Sequence, residues 1–298
     1  ILDRIDTTVI KEAKLSILVD VNNGTGALAT PPLLDKLGVN YTLLGPSPNG
    51  LFEHTPEPTQ ENLQSLIKGL KVGHFDAGFA QDPDADRLVI VAENGDYIGE
   101  DYSLAYCLDY VLGALESKTP NKHVAVNLST SAVIADICSK HDSMIHYSKI
   151  GEPNVVEKIK ETDAIVGGEG NGGVIYPKIG WGRDSLVGIT LALCHLATAK
   201  EKISETVSRY PKWVMLREKM ALASKEDARP FLERLSKEYK DTKQDRQDGL
   251  KLYFDDGWVH IRPSNTEPIL RLFAEAGTKE QAKAYCEKIQ AVLKSPSC

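Results

Sequence analysis

The sequence predicts an α/β protein: two repeated mixed-sheet α/β domains followed by a small α+β C-terminal domain. Between residues 15 and 115, strand-like runs alternate with helical patterns, which is typical of a mostly parallel sheet. The same order of elements restarts near residue 124, which indicates a repeat. After Pro211 the strands follow one another directly, as in an antiparallel sheet. We therefore predict domains at 1–118, 119–211 and 212–298.

The first repeat is predicted from four strand-like runs with helices between them. The strands are expected at 15–21, 40–44, 74–80 and 88–92, with helices ending near residues 38, 72 and 115. The second repeat is expected to place strands at 124–128, 144–147 and 163–167, with helices at 132–140 and 152–160. Aligning residues 76–79 with 163–166 carries Asp82 onto Glu169, so each repeat is expected to display a functional loop at the equivalent strand end.

The third domain is predicted from residues 213–298. A strand at 213–223, a helix at 225–239, a polar segment at 240–248, strands at 250–254, 258–262 and 269–274, and a helix at 279–293 are expected. This order of elements is typical of a small α+β domain.

Composition narrows the possible partners. The formal charge of the 298 residues is −7, which argues against a nucleic acid held by bulk electrostatics. No apolar run reaches the length of a membrane span, so no membrane partner is expected. The five cysteines have no Cys-x-x-Cys spacing, which predicts free buried thiols and a cytoplasmic location.

The loop between the strands at 74–80 and 88–92 carries three carboxylates, Asp82, Asp84 and Asp86, followed by Arg87. Carboxylates this close repel one another unless a cation lies between them, so the loop predicts a divalent-metal site. The adjacent arginine suggests that an anion such as phosphate meets the metal. An EF-hand would also use Glu93, but Arg87 occupies the position that needs glycine and no helix flanks the loop.

A second polar loop links two C-terminal strands and is typical of a phosphate clamp. It contains Arg262, Ser264, Asn265 and Thr266, and Arg271 follows on the next strand. Guanidinium, hydroxyl and amide groups together with turn N–H groups satisfy the oxygens of a bound phosphate.

A third loop, residues 168–173, is rich in glycine and lets the backbone approach a ligand closely. Glu169 and Asn171 alternate with the glycines. A carboxylate and an amide suit vicinal sugar hydroxyls, which both donate and accept hydrogen bonds.

In this order, the three loops resemble the α-D-phosphohexomutase superfamily, which includes phosphomannomutase/phosphoglucomutase and phosphoglucosamine mutase. The superfamily has a D-G-D-x-D-R metal loop in its second domain, a G-E-x-S/N-G sugar loop in its third and an R-x-S-N/G-T-E-P phosphate loop in its fourth. The resemblance covers the whole chain, and Pro83 replaces the usual glycine of the metal loop.

The resemblance implies an isomerase that transfers a phosphoryl group from a phosphoserine to a hexose phosphate and back through a bisphosphorylated sugar. Asp82, Asp84 and Asp86 would hold Mg²⁺ against the phosphoserine, and Arg87 would offset charge on the transferring group. Glu169 and Asn171 would bind sugar hydroxyls. The phosphate that is not reacting would be held by Arg262, Ser264, Asn265 and Thr266, helped by Arg271.

One expected feature of the superfamily is missing from the sequence. No stretch matches its T-A-S-H-N-P-like phosphoserine motif, and the chain begins at Ile1 in what is predicted to be the end of a helix. We expect that the N-terminal phosphoserine domain is the missing partner. On that basis the chain should bind metal and hexose phosphate without turning over alone.

The preferred hexose is predicted from the residues after Lys149-Ile150-Gly151. Glu152 follows, where members specialised for mannose and glucose phosphates often have histidine, and a carboxylate suits the ammonium group of glucosamine. Lys149 and Glu152 are therefore candidates for proton transfer or substrate contact. Gly173 and Asn265 depart from the phosphoglucosamine mutase pattern, so mannose and glucose phosphates remain the alternative.

Two other function classes compete with a mutase. The first is a metal-dependent sugar-phosphate binding protein without activity, built on the same scaffold. The second is a phosphatase with an aspartate nucleophile in a D-x-D loop, which would have no use for the sugar and phosphate loops.

Overall fold

The computed structural model describes residues 1–115, 122–264 and 267–294. The first repeat contains α1 (Thr8–Ala13), β1 (Ser16–Asp20), α2 (Gly26–Leu37), β2 (Asn40–Leu44), α3 (Gln64–Val72), β3 (Ala77–Gln81) and β4 (Leu88–Ala92). Helix α4 (Glu100–Gly113) links it to the second repeat, which contains β5 (His123–Asn127), α5 (Val133–Lys140), β6 (Met144–Ser148), α6 (Glu152–Thr162), β7 (Val166–Glu169), β8 (Gly173–Ile175), α7 (Ser185–Ala199) and α8 (Ile203–Ser208).

The two repeats have sheets of the same topology. The strand orders are β2-β1-β3-β4 and β6-β5-β7-β8, with three parallel strands and an antiparallel fourth in each. The predicted repeat of a mixed-sheet α/β domain is therefore confirmed. In each sheet the parallel strands end at the same edge, so the loops that follow β3 and β7 lie at that edge.

The predicted alignment of the two repeats is wrong by two residues. Asp20 and Asn127 end the first strand of each repeat, and each side chain accepts the backbone N–H two residues further on. Asp20 lies opposite Ala80, and the register of β5 with β7 places Asn127 opposite Glu169. Glu169 therefore corresponds to Ala80, and Asp82 corresponds to the residue two positions after Glu169. Short identities misalign strands easily, whereas the hydrogen-bond register does not.

The two repeats share one apolar core. Helix α4 is buried along almost its whole length and contacts α5 and α7 as well as strands of both sheets. A helix without an exposed polar face is typical of such a position between packed layers. The loops that follow β3 and β7 are consequently attached to one shared core. The division predicted at residue 118 is untested and stays a prediction, as does the one at 211.

The C-terminal domain has the predicted α+β architecture. Its elements are β9 (Val214–Ala221), a 3₁₀ turn (Lys225–Asp227), α9 (Ala228–Glu238), β10 (Lys243–Asp245), β11 (Leu250–Phe254), β12 (Gly257–Pro263), β13 (Ile269–Ala276) and α10 (Lys279–Lys294). The five strands are antiparallel in the order β10-β11-β12-β13-β9. Apolar side chains of one face pack with α9 and α10 in a separate core.

The other face of this sheet meets the second repeat through polar contacts, which we call the polar seam. Lys251 Nζ donates to the Leu128 carbonyl at 2.6 Å, and Glu275 accepts the Ala132 N–H at 2.7 Å. The ring of His260 pairs with the Ser129 hydroxyl at 2.8 Å. The seam thus joins the C-terminal sheet to the turn that follows β5.

Two sequence predictions about the whole chain can be compared with the structure. No helix of the described ranges is long and apolar enough to cross a membrane. The cysteines that the structure describes are buried and free, as predicted: Cys107, Cys138, Cys194 and Cys286.

Candidate functional site

The metal loop forms the tight turn between β3 and β4. One carboxylate oxygen from each of Asp82, Asp84 and Asp86 can be chosen so that all three lie within 4.8 Å of one another. Asp82 is buried, and its carboxylate accepts the backbone N–H groups of Asp86 and Arg87 as well as Arg87 Nε at 2.5 Å. Ala85 takes a positive φ of 58°, which closes the turn and directs the aspartates to one point.

The Asp86 carboxylate of this loop is only partly satisfied by hydrogen bonds. The Oδ1 atom of Asp86 is buried and has no hydrogen-bond partner among the described residues. Burial and the neighbouring Asp82 carboxylate raise the pKa of Asp86 to about 6. Burial would also raise the pKa of Asp82, but its hydrogen bonds with Arg87 hold that pKa below its ordinary value. A buried carboxylate oxygen without a hydrogen bond, in a cluster of hard oxygen ligands, fits a divalent cation such as Mg²⁺.

Neighbouring elements hold the metal loop in place. The Pro83 carbonyl accepts both the backbone N–H and the hydroxyl of Thr25, just before α2. The Ala85 carbonyl accepts the backbone N–H and the hydroxyl of Ser185, at the start of α7. A side chain at Gly24 would lie 2.6 Å from the Pro83 carbonyl oxygen, so only glycine allows this approach.

The sugar loop follows β7 beside the metal loop. Glu169 is only 4% exposed, and its carboxylate accepts Asn127 Nδ2 at 2.8 Å, the Gly151 N–H at 2.9 Å and Arg183 Nη1 at 2.9 Å. Asn171 is partly exposed, and its carbonyl accepts the Gly173 N–H at 3.2 Å. Glu169 is therefore held firmly by the protein, while Asn171 is the more accessible of the two predicted sugar contacts.

Arg183 is a site residue that the sequence analysis missed. Its guanidinium contacts the carboxylates of Glu152 at 3.1 Å, Glu169 at 2.9 Å and Asp86. It thereby joins the metal loop, the sugar loop and the start of α6. No local motif marked this arginine, because its three partners lie far from it in sequence.

The two candidates for proton transfer differ in exposure. Lys149 is exposed at the end of β6, whereas the Glu152 carboxylate accepts both the backbone N–H and Nε of Arg183. Between them, the Ile150 N–H donates to Asp248 Oδ2 at 3.0 Å. Asp248 is a residue of the C-terminal domain, so this loop also contacts the third domain.

The phosphate loop connects to the rest of the site through Asp248, which lies 3.3 Å from Arg262 Nε. Ser264 is buried, and its hydroxyl accepts the Glu267 N–H at 3.4 Å. The predicted contacts Asn265 and Thr266 lie outside the described residues.

A basic row crosses three strands next to this loop. Arg262 on β12 lies opposite Arg271 on β13, which lies opposite Lys219 on β9. Residues directly opposite one another in an antiparallel sheet point to the same face, so three cationic side chains stand side by side. Lys219 was not predicted, although its position on an alternating strand was a usable signal.

The family is decided by comparison with known proteins. Residues 1–95, 99–213 and 219–292 match, in order, three descriptions of one family: "alpha/beta/alpha domain II", "alpha/beta/alpha domain III" and "C-terminal domain" of phosphoglucomutase/phosphomannomutase. The chain belongs to the phosphoglucomutase/phosphomannomutase family. The resemblance inferred from the three loops is thus confirmed.

Relatives in this family carry more than one name. A phosphoglucomutase/phosphomannomutase of Thermococcus kodakarensis is 34% identical over 290 residues, which are 96% of this chain and 62% of that protein. A probable phosphoglucosamine mutase of Methanopyrus kandleri is 34% identical, covering 90% of this chain and 59% of that protein. The chain therefore spans about three fifths of the curated relatives that it matches.

A solved structure supports the same assignment. A phosphoglucomutase/phosphomannomutase family protein of Burkholderia thailandensis superimposes with a TM-score of 0.81 at 26% identity. The match covers 96% of this chain and 62% of that one. The two α/β sheets and the antiparallel C-terminal sheet are therefore the fold of this family.

Proposed function

We propose that this chain provides the metal, sugar and phosphate sites of a phosphohexomutase. Such an isomerase moves a phosphoryl group between O6 and O1 of a hexose phosphate through a bisphosphorylated sugar. The observation that carries the proposal is the Arg183 guanidinium, which ties the carboxylate of the metal loop to that of the sugar loop. Two loops that act on one substrate need this fixed separation.

We assign Mg²⁺ to the metal loop. Asp82, Asp84 and Asp86 would hold it, and Asp86 Oδ1 is the buried oxygen that has no hydrogen-bond partner among the described residues. When bound, the ion would stabilise negative charge on a transferring phosphoryl group. Arg87 donates to Asp82 and lies beside the loop, where its guanidinium would offset charge on the same group.

The non-reacting phosphate would be bound by the phosphate loop and the basic row. Arg262 and Arg271 provide guanidinium groups, and Ser264 contributes turn geometry close to them. Binding energy from this remote group would position the reacting oxygen, which is how distant contacts accelerate phosphoryl transfer.

We propose that turnover also needs the phosphoserine that the family mechanism uses, provided by a further domain. No phosphoserine motif of that kind occurs in the 298 residues. On this proposal the chain alone binds its ligands and leaves the substrate unchanged.

Glucosamine phosphate is the hexose phosphate that we rank first. The Glu152 side chain is 35% exposed, so its carboxylate can meet the ammonium group of the sugar. Several relatives are named probable phosphoglucosamine mutase, which supports this choice. Mannose and glucose phosphates are the alternative, supported by the Thermococcus kodakarensis relative.

Binding experiments on the 298-residue chain test the proposal. Calorimetric titration should show Mg²⁺ binding, and an Asp86→Asn variant should bind the ion at least about tenfold more weakly, because one ligand charge is lost. Asp96→Asn, at an exposed aspartate of the β4 hairpin, is the matched control. In the presence of Mg²⁺, glucosamine 6-phosphate should bind more tightly than glucose or mannose 6-phosphate.

Activity assays separate the remaining alternatives. The chain alone should not interconvert the 6- and 1-phosphates, and mutase activity at the rate of full-length relatives would contradict the need for a further domain. Release of free phosphate from glucose 1,6-bisphosphate would instead support a phosphatase. Absence of hexose-phosphate binding to a chain that binds Mg²⁺ would refute the proposed substrate class.

A further inference from the structure

Arg183 is fixed at a defined place in the fold by its backbone. It forms a β-bridge with Ile175 of β8, and the next N–H, of Asp184, donates to the Val174 carbonyl at 3.0 Å. The Asp184 side chain then caps α7 by accepting two N–H groups of its first turn. Because both sides of Arg183 are anchored, its side chain starts from a rigid position.

The side chain uses each of its three nitrogens for a different loop. Nε contacts Glu152 at the start of α6, Nη1 contacts Glu169 of the sugar loop, and Nη2 contacts Asp86 of the metal loop. Among the ion pairs of residues 1–115, 122–264 and 267–294, no other cation joins carboxylates from three loops. The planar guanidinium suits this task, since its donors have fixed directions.

Arg183 determines how Asp86 faces the metal site. It engages the Oδ2 atom of that carboxylate, whereas the other atom, Oδ1, is buried, accepts no hydrogen bond among the described residues and lies 3.7 Å from Arg87 Nε. On its other side, Arg183 holds Oε2 of Glu169, whose Oε1 is held by Asn127 and Gly151. A change in the position or charge of Asp86 therefore reaches Glu169 through a single side chain.

We propose that Arg183 is a positioning residue that makes divalent-cation binding at the metal loop and hexose-phosphate binding at the sugar loop reinforce each other. The inference rests on the proposed function, which assigns a divalent cation to the metal loop and a hexose phosphate to the sugar loop. A cation at Asp86 draws that carboxylate's charge toward itself, so Arg183 holds Glu169 and Glu152 more strongly in the geometry that the sugar meets. By thermodynamic linkage, the sugar phosphate must tighten cation binding by the same factor.

The test measures Mn²⁺ binding to the 298-residue chain by electron paramagnetic resonance, with and without saturating glucosamine 6-phosphate. For the unmodified chain we expect the sugar phosphate to tighten Mn²⁺ binding by about fivefold or more, the lower end of typical coupling. In Arg183→Lys the tightening should fall below about twofold, because one ammonium group cannot hold three carboxylates. Arg209→Lys, at an exposed ion pair with Glu201, should retain the full effect.

The outcomes are distinguishable. Full tightening in Arg183→Lys would overturn the inference, and so would loss of Mn²⁺ binding under both conditions, since Arg183 would then only hold the metal loop together. An unmodified chain that binds Mn²⁺ but none of the 6-phosphates of glucosamine, glucose and mannose would show that the proposed function itself has failed.

A second variant covers the case in which Arg183→Lys does not fold, as checked by circular dichroism. Glu152→Gln keeps the size of the side chain and weakens one of the three contacts of Arg183. Measured with saturating glucose 6-phosphate, which has no ammonium group for Glu152 to meet, it should reduce the tightening by at least about half, in line with the loss of one of the charged contacts. Unchanged tightening in Glu152→Gln would overturn the inference.

Discussion

Lys251 of the polar seam leads to a prediction about pH and stability. Its side chain is only 1% exposed, its Nζ lies 3.8 Å from the centre of the Trp258 ring, and it donates to the Leu128 carbonyl. Burial lowers the pKa of Lys251 to about 7, although the carboxylates of Glu275, Asp245 and Asp101 act in the opposite direction. Replacing it by methionine removes the titrating group and keeps a side chain of similar length.

The sign and size of the effect follow from the two pKa values. The unfolded chain has the ordinary lysine pKa of 10.5, and the folded chain has a pKa of about 7. Between these values the unfolded chain holds a proton that the folded chain has lost, so raising the pH favours folding. At about 1.4 kcal/mol per pH unit, and with half of the folded molecules protonated at pH 7, the gain from pH 7 to 9 is about 2 kcal/mol.

Urea unfolding followed by tryptophan fluorescence at pH 7 and pH 9 measures this gain. From pH 7 to 9, the unfolding free energy of the unmodified chain should rise by about 2 kcal/mol relative to that of Lys251→Met. Asp101, whose pKa burial raises to about 8, titrates in the same range, but it is present in both proteins. Lys243→Met is the matched control, because this lysine lies over Tyr253 in the same sheet and is exposed.

One result would refute the reasoning. If the unfolding free energies of the unmodified chain and Lys251→Met change in parallel from pH 7 to 9, then Lys251 keeps its proton in the folded state. The contacts with the carbonyl and the Trp258 ring would then outweigh burial.

Two further predictions concern the sugar loop and the basic row. Gly172→Ala should lower the unfolding free energy by at least about 2 kcal/mol, because a Cβ at φ +84° would lie 2.3 Å from the Leu88 carbonyl oxygen. Gly180 has open space around it, so Gly180→Ala should change the unfolding free energy little. Equal melting temperatures for the two variants would contradict this prediction. Lys219→Met should weaken glucosamine 6-phosphate binding by about threefold to tenfold through loss of one cation. Lys212 is exposed, and Lys212→Met should leave the affinity unchanged. Calorimetric titration measures both affinities, and equal values for the two variants would show that Lys219 is not part of the phosphate site.

The order of strands and helices was predictable because each half-buried strand and amphipathic helix carries its own period. Helix α7 was missed because its 15 residues are mostly apolar and buried, so no polar face repeats along it. Strand β10 was missed because Lys243–Asp245 is polar and gains its strand form from pairing with β11. Where the surrounding structure and not the local sequence decides whether a segment forms a helix or a strand, the sequence pattern does not predict that element.

The same distinction holds for the site. Three aspartates at alternate positions of one loop were recognisable because the chemistry lies within six residues. Arg183 was not, since it acquires its role only when folding brings residues 86, 152 and 169 together. Asp248 was missed for the same reason, because its partners Ile150 and Arg262 lie on different domains.

The polar seam has a consequence for how the three domains separate. The two repeats share an apolar core, and exposing it to water costs about 25 cal/mol for every Å². The seam includes hydrogen bonds whose groups water can satisfy after separation, so these bonds add little to the free energy of opening it. We therefore expect the C-terminal sheet, which carries the phosphate loop, to separate from the second repeat before the two repeats separate from each other.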